Sequence, residues 1–151
     1  MSPFISVSLR QTDPFLFTYL MHRASLVSDG RPPVELDVTF QYSAEQAFAV
    51  VMTLHASGIE AEWSLSREQL VEGLRRHDGW GDVAMWPVAR PGGEDVIRIR
   101  LGPASNHVVV EVCRAVLSAW LNETLRLIPR GSEARYLFLD QTICCILDAD
   151  E

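Results

Sequence analysis

Any chemistry in this 151-residue chain would have to start from four histidines, three cysteines, 13 basic residues and 20 acidic ones. His22, His55, His77 and His107 are scattered, and no HxH, HxxxH or HExxH spacing joins them, so neither a zinc site nor a metalloprotease-type base is indicated. No serine stands in a GxSxG turn and no cysteine lies beside a histidine, so the local signatures of an activated nucleophile are missing. Cys113, Cys144 and Cys145 form no CxxC pair, and their odd number argues against a disulfide framework and for reduced thiols. Gly79-Trp80-Gly81 and Gly92-Gly93 are too short for a dinucleotide-binding loop and read as turns. Asp148, Asp150 and Glu151 read as a solvated acidic end, not a metal site. The residues therefore assign no catalytic group, no metal site and no cofactor, and the expectation is a chain that is not an enzyme.

Other side chains suit the holding of a protein partner. Arg98 and Arg100 share one face of an alternating segment, opposite Ile97, Ile99 and Leu101. On an exposed sheet face they would pair with carboxylates or meet an acidic partner. Trp86 lies out of phase with Val83 and Met85, and Trp80 stands between glycines; tryptophans left exposed favour interfaces. Trp80, Trp86, Arg98 and Arg100 are the candidate partner-binding residues. Trp63 and Trp120 fall on apolar faces and are expected in the core.

Charge narrows the partner class. All 13 basic residues are arginine, which excludes a P-loop lysine and a Schiff-base lysine. The net charge of −7 gives the chain a field that repels polyanions, so nucleic acid is not expected as a ligand. Arg67, Arg75 and Arg76 could form a basic spot on one helix, with Glu68 and Glu72 at helical spacing to neutralise it. The first ten residues lack a basic stretch followed by a long apolar one, and no run approaches about 18 apolar residues. Neither a signal segment nor a membrane span is expected.

The elements that would position these residues follow from hydrophobic period. Val34 to Gln41 and Ile59 to Ser66 alternate apolar and polar residues, as half-buried strands do. Phe48 to His55 is a near-continuous apolar run suited to a central strand, and His55-Ala56-Ser57-Gly58 reads as a hairpin turn. Pro14 to Leu26 gives a first strand. Ser66 with Gln69 three residues on suggests a capped helix carrying Leu70, Val71 and Leu74, followed by a loop over His77 to Gly81. Strands are expected at Asp82 to Val88, Val96 to Leu101 and His107 to Val112, then a helix from Cys113 to Ile128, stopped by Pro129-Arg130-Gly131-Ser132. A short final helix near Asp140 would pack Ile143, Ile146 and Leu147. The expectation is one α+β domain over residues 1–151, with 1–13 loosely held: a curved antiparallel sheet of two strand-helix halves with helices packed against it.

Set in order, these residues carry a family pattern. Trp63, Leu65, Arg67, Glu68, Leu70, Gly73 and Leu74 resemble the W-x-F-x-R-D-L-L-x-x-G-L segment of the SsgA-like sporulation and cell-division proteins of filamentous actinomycetes. Gly81-Asp82-Val83 with Trp86-Pro87 resembles that family's G-D-V-x-x-W-P. Leu121, Thr124, Ile128, Pro129, Gly131 and Glu133 resemble F-L-x-x-T-x-x-x-V-P-x-G-x-E, and Leu139-Asp140-Gln141 with Ile146-Leu147 its closing segment. Tyr42 with Phe48-Ala49-Val50 is similar to its Y-x-x-x-x-P-Y-A-V. Gln46-Ala47 in place of Asp-Pro, Leu65 in place of an aromatic, and Trp80 in a normally small position depart from the pattern. The resemblance implies a non-catalytic, cytoplasmic adaptor recruited to division septa, which helps position the tubulin-like protein FtsZ and contacts other SsgA-like proteins. It also implies a homo-oligomer, a trimer, and a fold like the whirly architecture of some single-stranded nucleic-acid binders. That likeness makes single-stranded nucleic-acid binding the alternative reading.

Overall fold

Strict alternation buries every second side chain of a strand, so a chain rich in it must build a sheet with one covered face. A computed structural model describes residues 4–8 and 16–136 and has this arrangement. The strands are β1 (Phe4–Ser8), β2 (Phe17–Val27), β3 (Val34–Ser43), β4 (Ala49–Ala56), β5 (Ile59–Ser66), β6 (Asp78–Trp80), β7 (Val83–Val88), β8 (Val96–Leu101) and β9 (Val108–Cys113). Helix α1 (Arg67–Gly73) follows β5, and α2 (Arg114–Leu127) follows β9.

All strands join one nine-stranded sheet in the order β5-β4-β3-β2-β9-β8-β7-β6, with β1 alongside β2. Every pairing is antiparallel. Two meanders, β2 to β5 and β6 to β9, therefore meet where Ser25, Leu26 and Val27 pair with Glu111, Val110 and Val109. Each meander is followed by its helix, which gives the two strand-helix halves expected from the sequence. The β4–β5 hairpin turns through Ser57 (φ 51°) and Gly58 (φ 77°), and two consecutive left-handed residues are what a tight hairpin matching strand twist requires.

The covered face carries Leu20, Val38, Phe40, Met52, Leu65, Met85, Ile99 and Val110, closed over by Leu70 of α1 and by Leu117, Trp120 and Leu121 of α2. Trp120 is fully buried, with its ring 5.8 Å from that of Phe40 and its Nε1 donating to Thr18 Oγ1 at 3.2 Å. Ser66 caps α1 by accepting from the Gln69 N–H, as its spacing suggested. At the end of α1, a Cβ on Gly73 would lie 2.3 Å from Met85 Cγ, so glycine is what lets the helix close onto β7.

An arginine ties the second helix to the first. Arg67, at the start of α1, is buried and donates to the Thr124 and Ile128 carbonyls at the C-terminus of α2 and to Glu133 Oε1 at 2.6 Å. Its guanidinium also lies 4.7 Å from the centre of the Tyr42 ring. The carbonyls ending α2 form the negative end of its dipole, which favours a cation there. Burial alone would raise the Glu133 carboxyl, but the Arg67 hydrogen bond and the N–H groups of Glu133 and Gly131 outweigh it and hold the group below its ordinary value. Burial pushes the Tyr42 phenol well above its ordinary value; its hydroxyl donates to the Ala47 carbonyl at 2.8 Å.

Four expectations change or move. The segment His77 to Gly81, expected as a loop, contains the short strand β6. Trp63 is half-buried instead of core, because the helices cover β5 only from Leu65 onward and leave Ile59 and Ala61 in solvent. Arg67 contributes nothing to a basic spot on α1, since it points inward to α2. Phe4–Ser8, expected only within a loosely held segment, pair with β2 as β1. The final helix near Asp140, with Ile143, Ile146 and Leu147, and the pair Cys144-Cys145 lie outside the described residues.

Candidate functional site

The opposite face of the sheet is the candidate. Register fixes which side chains meet there. One row runs Glu60, His55, Asp37, Arg23 across β5, β4, β3 and β2. A second runs Glu35, Ser25, Glu111, Arg98, Trp86 from β3 across the seam to β7. Both have the parity opposite to the buried Val38, Leu54, Val110 and Ile99.

The second row holds two bonded pairs. Ser25 Oγ donates to Glu35 at 2.6 Å, and Arg98 Nε donates to Glu111 at 2.9 Å. Arg90, from the β7–β8 turn, binds the other Glu111 oxygen. Trp86 ends the row, stacked on His77 with ring centres 5.6 Å apart. Beside it a cleft of about 390 Å³ is lined by Trp86, Arg98, Asp29, Asn106, His107 and Val109, among others. Such a cleft combines a flat aromatic wall, a guanidinium and short polar groups, a combination that suits a protein side chain more than a small-molecule cavity.

The four candidate residues divide. Trp86 and Arg98 are cross-strand partners and line the same cleft. Arg100 is further along β8, opposite Ala84 and Val109; its Nε is buried with no hydrogen-bond partner among the described residues. Trp80 pairs with Val83, on the other parity, and projects into solvent at the β6 edge with 85% exposure. The sequence places Trp86 and Arg98 on strands but carries no sign that Glu111 fixes the arginine. Only the register across the β8–β9 hairpin could have revealed it.

A relay that joins the first row to its neighbour was hidden by sequence separation. Thr39 Oγ1 is 2.6 Å from His55 Nε2, and His55 Nδ1 is 3.2 Å from Glu60 Oε1. The order is that of hydroxyl, base and acid. Thr39, however, lies inside β3 with ladders to β2 and β4 on both sides, so its neighbouring backbone N–H groups are committed and offer no oxyanion cradle. These contacts link β3 to β4 and β4 to β5 across the open face. Among the described residues, no group of His, Cys, Asp and Glu could hold a metal ion, and no helix is long and apolar enough to cross a membrane.

A nine-stranded sheet with one helix-covered face and one polar, partly aromatic face defines an architecture found among sporulation-specific cell-division proteins. The solved structure of an SsgA-like protein of this kind from Thermobifida fusca superposes with a TM-score of 0.79 at 29% identity, covering 85% of this chain and 93% of that one. The chain is similar to the sporulation-specific cell division protein SsgB of Streptomyces coelicolor, 32% identical over 81% of this chain and 89% of that protein. It is also similar to SsgB of Frankia casuarinae, 31% identical over 81% and 85%. Residues 36–133 match the family model described as Streptomyces sporulation and cell division protein, SsgA. The chain belongs to the SsgA family.

Proposed function

We propose that this chain is a non-catalytic adaptor in sporulation-specific cell division, acting in the cytoplasm and at septa to help position FtsZ through protein contacts. The observation that carries this reading is the open sheet face of a family member, where Trp86 and Arg98 are fixed beside a cleft. A docking surface of that kind holds a partner's side chain without an acid–base site to transform it. Trp86, Arg98, Arg100 and the solvent-exposed Trp80 are the residues assigned to partner contact. Other SsgA-like proteins are further partners, and the chain forms a homotrimer, in keeping with the family. Light scattering is expected to give about three times the protomer mass of 16.9 kDa; the protomer mass alone at micromolar concentration would overturn the trimer.

Co-sedimentation with polymerising FtsZ, with and without a sister family member, tests the adaptor reading. The chain is expected in the pellet, and Trp86→Ala or Arg98→Ala is expected to reduce its share without loss of fold. A chain that stays in the supernatant in both arrangements would overturn the assignment.

A further inference from the structure

Strand β5 closes one end of the sheet, and among the described residues its neighbour is β4 alone. The pairing runs without interruption from Ala49↔Ser66 to Ala56↔Ile59, so β5 is a full-length strand of eight residues with no bulge and no proline. The other end of the sheet is different: β6 has three residues, one of them glycine. A regular edge strand presents a row of unpaired N–H and C=O groups that can template another strand.

The side chains of this edge specify what it can accept. On the helix side, Ile59 is 71% exposed, Ala61 is exposed and Trp63 is half-buried, an apolar row that the helices leave uncovered. On the open-face side, Glu60 and Glu62 are exposed and followed by Ser64. The edge is thus apolar on one side and acidic on the other. Antiparallel pairing with β5 of a second copy would bring the Glu60 and Glu62 carboxylates of both chains onto one face, opposite or diagonal to one another, and like charges so placed are destabilising.

We propose that the β5 edge binds an extended peptide segment of another protein, one that alternates arginine or lysine with apolar residues and adds as a further antiparallel strand. Its main chain meets the free edge of β5, its basic side chains pair with Glu60 and Glu62, and its apolar side chains cover Ile59, Ala61 and Trp63. This surface is separate from the Trp86–Arg98 cleft and does not depend on which division protein occupies that cleft.

The probe is an eight-residue peptide alternating valine and arginine, the length of β5, with a valine–glutamate peptide as control. Backbone amides of the full chain are followed by NMR and hydrogen exchange. The valine–arginine peptide is expected to perturb and protect β5 amides, with affinity falling several-fold between about 0.05 and 0.5 M salt. Glu62 is exposed and lies outside the His55–Glu60 contact, so E62K is expected to keep the native melting profile and to lose several-fold in affinity. Equal binding of the valine–glutamate peptide, or perturbation confined to another face, would overturn the proposal. So would β5 amides already protected without peptide: concentration-dependent protection would assign the edge to a second copy, and concentration-independent protection would mean that it is covered within the chain itself.

Discussion

On one side of the sheet Arg67 meets Glu133, and on the other Arg98 and Arg90 share Glu111. In the first pair both side chains are buried, 2% and 11% exposed. In the second the carboxylate side chain is buried at 7%, but the arginine side chains are 36% and 46% exposed. Arg67 is fully engaged by two helix-terminal carbonyls, a carboxylate and an aromatic ring, so it has no route to water. Arg98 and Arg90 can turn outward. The same pair of residue types thus closes the core in one place and leaves an adjustable surface in the other. What decides is whether the group left behind after a substitution can be solvated.

Removing the buried cation breaks this comparison most severely. Arg67→Ala leaves Glu133 and the last carbonyls of α2 buried without their donor, and is expected to cost about 3–5 kcal/mol. Urea titration of wild type and variant reads this directly; an unchanged midpoint would mean that the α2 terminus finds water once the arginine is gone.

Acid should release part of the same energy in the wild type. The Glu133 carboxyl is lowered in the folded chain, so its contribution is complete above the ordinary carboxylate range, about 4.3. It is lost as pH falls through the lower folded value, because the unfolded chain then binds the proton more readily. Glu133→Gln is expected to be less stable than wild type at neutral pH, and the gap should narrow on acidification. Parallel stability curves across that window would remove Glu133 from the linkage.

The open-face node should respond weakly. Glu111→Ala releases Arg98 and Arg90 to solvent and is expected to cost only about 0.2–1 kcal/mol, as for exposed ion pairs. A loss as large as that of Arg67→Ala would show that the two nodes are energetically alike, and the distinction drawn from exposure would fail.

How much of this could be read without coordinates depends on the range of the interaction. Local signals succeeded: alternation located β3 and β5, Ser66 and Gln69 marked the start of α1, and Ser57-Gly58 marked a hairpin whose φ values are both positive. Family motif residues were visible as letters, but their reasons were not. Arg67 and Glu133 are far apart in sequence, and spacing grouped Arg67 in one basic spot with Arg75 and Arg76, of which only the latter two lie on the surface, with Glu72. The half-burial of Trp63 was equally illegible, because periodicity gives the face of a strand but not how far a helix reaches across it. At the candidate site Trp86 and Arg98 could be named singly, while their meeting, and the Thr39–His55–Glu60 relay, exist only through register.

The smallest expected effect is on nucleic acid, and the open face sharpens it. Affinity for a polyanion near physiological salt comes from cations that displace phosphate counterions, and it falls steeply as salt rises. Here Arg98 and Arg90 are held by Glu111, Arg23 by Asp37, and the same rows carry Glu35 and Glu60, within a chain of net charge −7. Trp86 offers a stacking surface, and stacking contributes about 1–3 kcal/mol per base, too little without a cationic groove. Fluorescence anisotropy of labelled single-stranded DNA and RNA at about 0.15 M salt is expected to stay flat for the wild type. Glu111→Ala frees two arginines beside Trp86 and is therefore the stricter trial; it too is expected to bind no tighter than about the millimolar range. Micromolar binding by the wild type would make the open face a nucleic-acid surface. Micromolar binding by the variant alone would identify Glu111 as the residue that keeps a latent one closed.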